Sequence, residues 1–203
     1  MKKNTLFGMH TAELRVGMAF LFLFVAIMPV AAQNKGKSID VFCQFDYQKA
    51  MDAVECTNRE RINKGLKPYL VDSTLMELAM IRAAEMKGTN NFSHVRPNGE
   101  SALNIIQCKC QKGENIAYGQ TTGKEVVAQW MTSTGHRGNI LNKEFDCIGI
   151  GVCDKYWVQL FMKSGACDVV LFKDSLGRIA DVTVSISLDP KRESVVVNRN
   201  RGK

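Results

Sequence analysis

The hydrophobic pattern of this chain changes its period once, and that change most constrains the fold. Up to about residue 131, apolar side chains recur at the spacing of α-helices, and from about residue 148 they alternate as in β-strands. Helices first and antiparallel strands later are typical of a mixed α+β domain or of a layered α/β/α domain. We therefore predict one of these two arrangements.

Capping residues and periodicity place the predicted elements. A first helix covers about 47–64, a second begins at the cap candidates 72–74 and ends at Gly88, and a third covers about 123–131. The predicted strands are 148–152, 156–161, 169–172, 182–188 and 195–197. Gly149 and Gly151 in the first of these strands are expected to clear one face for close packing. Residues 33–41 are predicted to be a loose leader and 133–145 a loop.

The N-terminus has the features of a secretory signal peptide. Basic residues precede an apolar run over 16–30, which ends at Ala31-Ala32, small residues of the type a signal peptidase reads. The alternative is an uncleaved anchor, but the run has ~15 residues where a spanning helix needs ~20, and it contains Pro29. We expect cleavage near Ala32, secretion to the periplasm or medium, and no stable membrane insertion.

The predicted organisation follows from this cleavage. It comprises a signal peptide over 1–32, an N-terminal leader over 33–46, a main domain over 47–162 and a strand-rich C-terminal extension over 163–203.

Charge and composition exclude several classes of protein. The chain has 203 residues, 45% of them hydrophobic, and 27 Lys+Arg against 20 Asp+Glu, for a net charge of +7. This apolar content is too high for a disordered chain. Part of the positive charge lies in the signal peptide and part in the last five residues, so the domain itself is nearly balanced. No clustered basic stripe remains, and no nucleic-acid partner is expected.

All seven cysteines follow the predicted cleavage point. They are Cys43, Cys56, Cys108, Cys110, Cys147, Cys153 and Cys167. Disulfides are the default in an exported chain, and because seven is odd, at least one thiol must be free or pair with another molecule. The sequence has a CxC and no CxxC, which argues against a thioredoxin-type redox pair and a zinc ribbon.

Two histidines and one glutamate are the candidate site residues. Beyond the signal peptide the only histidines are His94 and His136, and Glu114 follows a glycine between them. Two imidazoles could hold a divalent metal with an open position, with Glu114 as third ligand or as base on a bound water. The alternative is that all three only brace loops and turns. Their spacing matches no local ligand motif, so tertiary structure has to bring them together.

A nucleophilic hydrolase has little support in the sequence. Ser133 lies close to His136, but no GxSxG motif is present, and neighbouring loop residues do not form a triad by proximity. Cys110 with His136 as a thiol protease lacks any family-specific cysteine signature.

Several motifs together resemble the CAP superfamily of cysteine-rich secretory, antigen and pathogenesis-related proteins. In chain order they are FSH at 92–94, GENIA at 113–117, VVAQWMTS at 126–133, GHRGNIL at 135–141, IGIGV at 148–152 and YWVQLF at 156–161. The resemblance covers about 47–161, and it is specific because several motifs occur in order. Residues 163–203 lie beyond it.

The resemblance implies an α/β/α sandwich with a central antiparallel sheet and a wide cleft. In many relatives two histidines and two glutamates line this cleft, and the histidines can bind a divalent metal, here suspected to be zinc. By position, His94, Glu114 and His136 match three of these residues, and Ser133 is nearest to the position of the second glutamate. One carboxylate fewer lowers the negative charge of the site and weakens the expectation of tight metal binding and hydrolysis.

We therefore predict that this is a secreted CAP-domain protein of bacterial type. It is expected to bind a small-molecule, lipid or cell-surface ligand through this cleft and not to be an enzyme. The alternatives are a metal-assisted, peptidase-like hydrolase in which His94 and His136 hold the ion and Glu114 is catalytic, and an exported structural protein without a working site.

Overall fold

The structure is a computed structural model that describes residues 36–163, 179–189 and 191–201. The strands are β1 (Ser38–Asp46), β2 (Leu70–Val71), β3 (Lys112–Tyr118), β4 (Cys147–Cys153), β5 (Tyr156–Met162), β6 (Ile179–Ser187) and β7 (Val195–Arg201). The helices are α1 (Tyr47–Asn63), α2 (Ser73–Thr89), α3 (Gly123–Thr132) and α4 (Thr134–Ile140), and a short 3₁₀ helix covers Ala102–Ile105. The predicted signal peptide and the predicted strand 169–172 lie outside the described residues.

The central sheet has the strand order β2-β4-β5-β3, so β3 is an edge strand. Strands β3, β4 and β5 are antiparallel, while the two-residue β2 runs parallel to β4. The register pairs Glu114 with Leu160 and Gly149 with the same Leu160 from the other side. The predicted hairpin over 148–161 is therefore the centre of this sheet.

Helices cover both faces of the central sheet, which confirms an α+β fold of three layers. Helices α1, α3 and α4 pack on one face, where Trp130 and Trp157 are fully buried. Helix α2 packs on the other face. A Cβ at Gly149 or Gly151 would overlap the main chain of α2 at Leu75 or Ala79, so these glycines allow the close approach predicted from the sequence.

Helix boundaries follow the local capping signals. The Asp72 side chain accepts a hydrogen bond from the Leu75 amide at the start of α2, and Thr122 forms a capping box with Glu125 at the start of α3. Helix α2 continues past Gly88 and ends at Asn90, which adopts the left-handed conformation that often terminates helices. The glycine predicted to stop the helix instead lets it approach β1 and β6, because a Cβ there would meet Val41.

The prediction of a loose leader over 33–41 is wrong for residues 38–41. They belong to β1, Ser38–Asp46, which pairs antiparallel along its whole length with β6 of the C-terminal extension. Strand β6 pairs in turn with β7, giving a second sheet of order β1-β6-β7 against α2. The leader and the extension are joined in one sheet because each supplies the main-chain hydrogen-bond partners of the other.

One further prediction of local structure is corrected. The predicted loop 133–145 contains α4, so His136 lies in a short helix. Glu114, for which no element was predicted, lies within β3. Both segments are polar or glycine-rich, and contacts with distant elements, described below, hold them in place.

Two disulfides lie among the described residues. Cys43–Cys153 joins β1 to β4 and is fully buried, while Cys108–Cys110 closes the CxC before β3. Cys56 forms no disulfide within the described part of the chain. It is half-buried in α1, and burial raises the pKa of its thiol. None of the helices that the structure describes is both long and apolar enough to cross a membrane.

Candidate functional site

Edge strand β3 positions the candidate site. Successive side chains of a strand point to opposite faces, so Glu114 faces α2 while Asn115 faces the layer that contains α4. His94 follows α2 in the chain and lies against Glu114, and His136 lies in α4 against Asn115. The two histidines thus approach the same strand from the two layers of helices.

His94 and Glu114 form a direct contact. The Nδ1 atom of His94 lies 2.7 Å from Oε2 of Glu114, and Nε of Arg82 donates a hydrogen bond of 3.1 Å to Oε1 of the same carboxylate. The Glu114 and Arg82 side chains are buried, whereas 58% of the His94 side chain is exposed. Glu114 therefore joins an exposed imidazole to a buried guanidinium, with both of its oxygens engaged.

This contact sets the chemical state of His94. The hydrogen bond to Glu114 raises the pKa of the imidazole, although partial burial acts in the opposite direction. In the neutral ring Nδ1 carries the proton that the carboxylate accepts, so Nε2 keeps its lone pair. His94 can accept a hydrogen bond or bind a metal through Nε2.

Behind Glu114 lies a buried network of alternating charges. Arg82 donates to Glu85 Oε2 at 2.7 Å and to the main-chain oxygen of Ser93, the residue before His94, at 2.9 Å. Glu85 also accepts a 2.8 Å hydrogen bond from Arg96. The side chains of Arg82, Glu85 and Arg96 are each at most 1% exposed. The network therefore holds both the carboxylate and the loop main chain that orient His94.

His136 is held mainly through the main chain of α4. The Ser133 hydroxyl caps this helix by accepting from the His136 amide at 3.5 Å, and Asn115 donates to the His136 carbonyl at 3.1 Å. Burial lowers the pKa of His136, and the charge on His94 lowers it further.

A chain of polar side chains fixes Asn115 inside the protein. Asn115 donates to Gln159 Oε1 at 2.9 Å, and Gln159 donates to Thr57 Oγ1 of α1 at 2.8 Å. Asn139 of α4 donates to Asn115 Oδ1 at 2.8 Å. Because Thr57, Asn115 and Gln159 are completely buried, each unmade bond would be costly. The chain thus holds α4 in register with β3.

The C-terminal end of α4 has its own anchor. Arg61 donates to the carbonyls of Ile140 and Asn142 at 2.7 and 2.8 Å, and its guanidinium stacks over Tyr69. The Tyr69 hydroxyl donates toward the Asn139 and Asn142 carbonyls, and burial raises its pKa to about 12. These contacts hold a seven-residue helix that would be marginal alone.

Sequence reasoning predicted His94, Glu114, Ser133 and His136 as site residues but did not indicate the buried residues behind them. Arg82 carried a usable signal, since it falls on the apolar face of the predicted second helix. A charge at such a position is buried only when it is paired. Its partners Glu85 and Arg96 carried no comparable signal.

Residues 54–161 match the family model of CAP, the cysteine-rich secretory protein family. The match covers more than half of the chain. Together with the three-layer fold and the site at β3, it shows that this chain belongs to the CAP family.

Several bacterial proteins are similar to the chain. The uncharacterized protein YkwD of Bacillus subtilis is 42% identical over 122 residues, which cover 57% of this chain and 47% of YkwD. The uncharacterized membrane protein YlbC of the same species is 35% identical over 114 residues, covering 54% of this chain and 33% of YlbC.

Two solved bacterial structures are also similar to this chain. A crystal structure of an extracellular protein containing an SCP domain from Bacillus anthracis is 29% identical, with a TM-score of 0.56, and the match covers 58% of this chain and 41% of that one. An outer surface protein from Borrelia burgdorferi has a TM-score of 0.50 over 59% of this chain and 96% of its own, and at 20% identity it shares the fold alone. The matched part of the chain spans about half the length of YkwD and about a third of the length of YlbC.

Proposed function

We propose that this protein is secreted and binds a ligand through the His94 and His136 site. The observation that carries the proposal is the state of His94: an exposed imidazole whose Nδ1 is tied to a buried carboxylate, so that Nε2 is left to meet a ligand. A buried network of charges costs desolvation energy, and preorganising one exposed side chain is a reason to keep it.

The surroundings of His94 favour a ligand with an apolar part. Phe92 and Val95, on either side of His94 in the loop, expose 51% and 50% of their surfaces. Exposed apolar side chains beside a fixed polar group are typical of small-molecule sites, where apolar contact supplies affinity and the polar group sets orientation. A lipid-like or other partly apolar small molecule with a hydrogen-bonding group fits this surface.

The donor atoms of His94 and His136 are of a type that binds divalent metals, but there are fewer of them than a tight protein site supplies. Neutral imidazoles suit zinc, and the pairing of His94 with Glu114 is the carboxylate–histidine arrangement that supports metal ligands. No group of three or more His, Cys, Asp or Glu residues in the described ranges is placed to hold an ion. An ion on His94 and His136 would therefore be weakly held, and it would supply a Lewis acid with open positions for donor atoms of a ligand.

The contacts of Glu114 favour a binding protein over a hydrolase. A general base must reach the proton it removes, but the Glu114 side chain is buried and both of its oxygens already have partners. The Ser133 hydroxyl points to the His136 amide and supplies no second carboxylate. We assign Glu114 the role of positioning His94.

Zinc uptake by the secreted form of the protein tests this proposal. We expect weak binding of about one Zn²⁺ in isothermal titration, lost in His94→Ala and in His136→Ala and retained in the surface control Lys124→Ala. Uptake that is unchanged in both histidine variants would overturn the metal part. Loss of stability in both histidine variants, without binding of Zn²⁺ or of lipid-like probes by the wild type, would favour a purely structural role.

Secretion is tested separately. We propose cleavage near Ala32, in keeping with the extracellular protein of Bacillus anthracis that shares this fold. Mass spectrometry of the exported protein should give a chain that begins at about Gln33, and a mass that retains the first 32 residues would contradict cleavage.

A further inference from the structure

The C-terminal extension contacts the network behind His94. Ser194, between β6 and β7, is buried, and its hydroxyl donates a 2.7 Å hydrogen bond to Oε1 of Glu85. Next to it, Oε2 of Glu193 lies 2.6 Å from Nη1 of Arg96. These residues lie about 110 positions from Glu85 and well outside the matched family region, so the family pattern does not require these contacts.

We propose that Glu193 and Ser194 are positioning residues for His94, so that the C-terminal extension sets the geometry of the binding site. The relevance to ligand binding rests on the function proposed above, whereas the positioning of His94 does not.

One route runs through carboxylates and a guanidinium. Ser194 bonds Glu85, Glu85 bonds Arg82, Arg82 bonds Glu114, and Glu114 bonds His94, with every donor–acceptor distance between 2.7 and 3.1 Å. The four residues before His94 in this series are buried. In such surroundings a change at one hydrogen bond alters the polarisation and geometry of the next.

A second route runs through the loop that carries His94. Arg96 lies two residues after His94 and is clamped between Glu85 and Glu193. Its amide also donates to the Glu100 carbonyl, which closes the loop. Glu193 therefore holds the loop from the side of the second sheet, while Arg82 holds it at the Ser93 carbonyl.

The two routes explain an otherwise unexplained feature of the fold. The second sheet packs on α2 through apolar side chains, and the Cys43–Cys153 disulfide joins it to β4. The Ser194 hydroxyl is buried and also accepts a hydrogen bond from the Ser187 amide at 3.2 Å, while the Glu193 carboxylate is half-exposed; apolar packing does not require their contacts with Glu85 and Arg96. Their placement makes sense if the docked extension completes the support of His94.

Imidazole NMR of the secreted full-length form tests the proposal. Ser194→Ala removes the hydroxyl donor, and Ser194→Thr keeps it. We expect the ring nitrogen signals of His94 to shift in Ser194→Ala and to return to the wild-type positions in Ser194→Thr, while those of His136 stay unchanged. Arg192→Ala, at an exposed position beside Glu193, serves as the matched control and should change neither histidine.

Other outcomes would overturn the proposal. It fails if Ser194→Ala leaves the His94 signals in place, or if both histidines shift together as in a general loosening. If Ser194→Ala does not fold, Glu193→Gln replaces it, since that variant keeps the side-chain size and removes only the charge facing Arg96. Unchanged His94 signals in Glu193→Gln would then count against the proposal.

Zinc titration separates this inference from the function on which it rests. With the histidines as ligands, Ser194→Ala should weaken Zn²⁺ binding by about 3- to 10-fold, less than the roughly 10- to 100-fold loss typical when a group bonded directly to a metal-binding histidine is removed. If the wild type takes up no Zn²⁺ but the His94 signals still shift in Ser194→Ala, the metal proposal fails and the positioning role stands. Zn²⁺ affinity that is unchanged in Ser194→Ala would refute the link between the extension and binding.

Discussion

Neutralising Glu85 is the strongest perturbation of the buried network. Its side chain is 1% exposed and accepts hydrogen bonds from Arg82, Arg96 and Ser194. Glu85→Gln keeps the size of the side chain but replaces one acceptor oxygen by an amide nitrogen that can only donate hydrogen bonds. At least one buried donor then faces another donor, and two guanidiniums lose their shared counter-charge.

The expected cost follows from burial. Removing one partner of a buried ion pair destabilises a protein by about 3–5 kcal/mol, because the remaining charge is left in a poorly solvating interior. Arg82 keeps Glu114 and Arg96 keeps Glu193, so we expect a cost within this range and not twice as large. Since domains are stable by about 5–15 kcal/mol, this is a large share of the total.

Urea denaturation of wild type and variant measures this cost. Glu55→Gln is the matched control, because Glu55 and Arg59 form an ion pair of 2.8 Å on exposed α1, with 74% and 61% of their side chains accessible. Such surface helix pairs contribute about 0.3–0.5 kcal/mol. If the losses of unfolding free energy in Glu85→Gln and Glu55→Gln differ by less than about 1 kcal/mol, the buried network does not hold the site together.

Two further predictions concern packing and titration. Gly151→Ala should destabilise the protein by about 1–3 kcal/mol in the same assay, because the new Cβ would overlap the main chain of α2. Gly138→Ala, on the open side of α4, should instead stabilise it by about 0.5–1 kcal/mol. Equal effects of the two substitutions would contradict the packing of α2 on β4. In NMR titrations the His94 signals should report a pKa above that of an unperturbed histidine side chain and the His136 signals one below it. Glu114→Gln should lower the His94 pKa, and a His94 titration that does not respond would show that the carboxylate does not orient the ring.

Helices α1, α2 and α3 and the central hairpin were predictable because their signals are local. Asp72 caps α2 through an amide three residues away, and the period-two apolar pattern over 148–161 is typical of strands. Strand β1 and helix α4 were not predictable in this way. Strand β1 is completed by β6, and α4 depends on Arg61 and Asn115, so both depend on contacts with distant residues.

The candidate site was only partly accessible from the sequence. Residue type and family resemblance pointed to His94, Glu114 and His136, and left Glu114 as a third metal ligand or a base on bound water. The sequence did not indicate that the same carboxylate contacts both Arg82 and His94, and these contacts are the basis of the positioning role proposed for it. An arginine on an apolar helix face indicates that it has a buried partner, but the sequence does not show which residue that partner is.

The sequence by itself determined the family, three of the helices, the central hairpin and the residue types available for chemistry, because periodicity, caps and motifs are properties of neighbouring residues. Only the tertiary structure decided which charges meet. Arg82, Glu114 and Ser194 come from α2, β3 and the C-terminal extension, and no local pattern relates them. Folding removes water from all three at once, and in that interior each polar group must find a partner, which fixes the role of each residue.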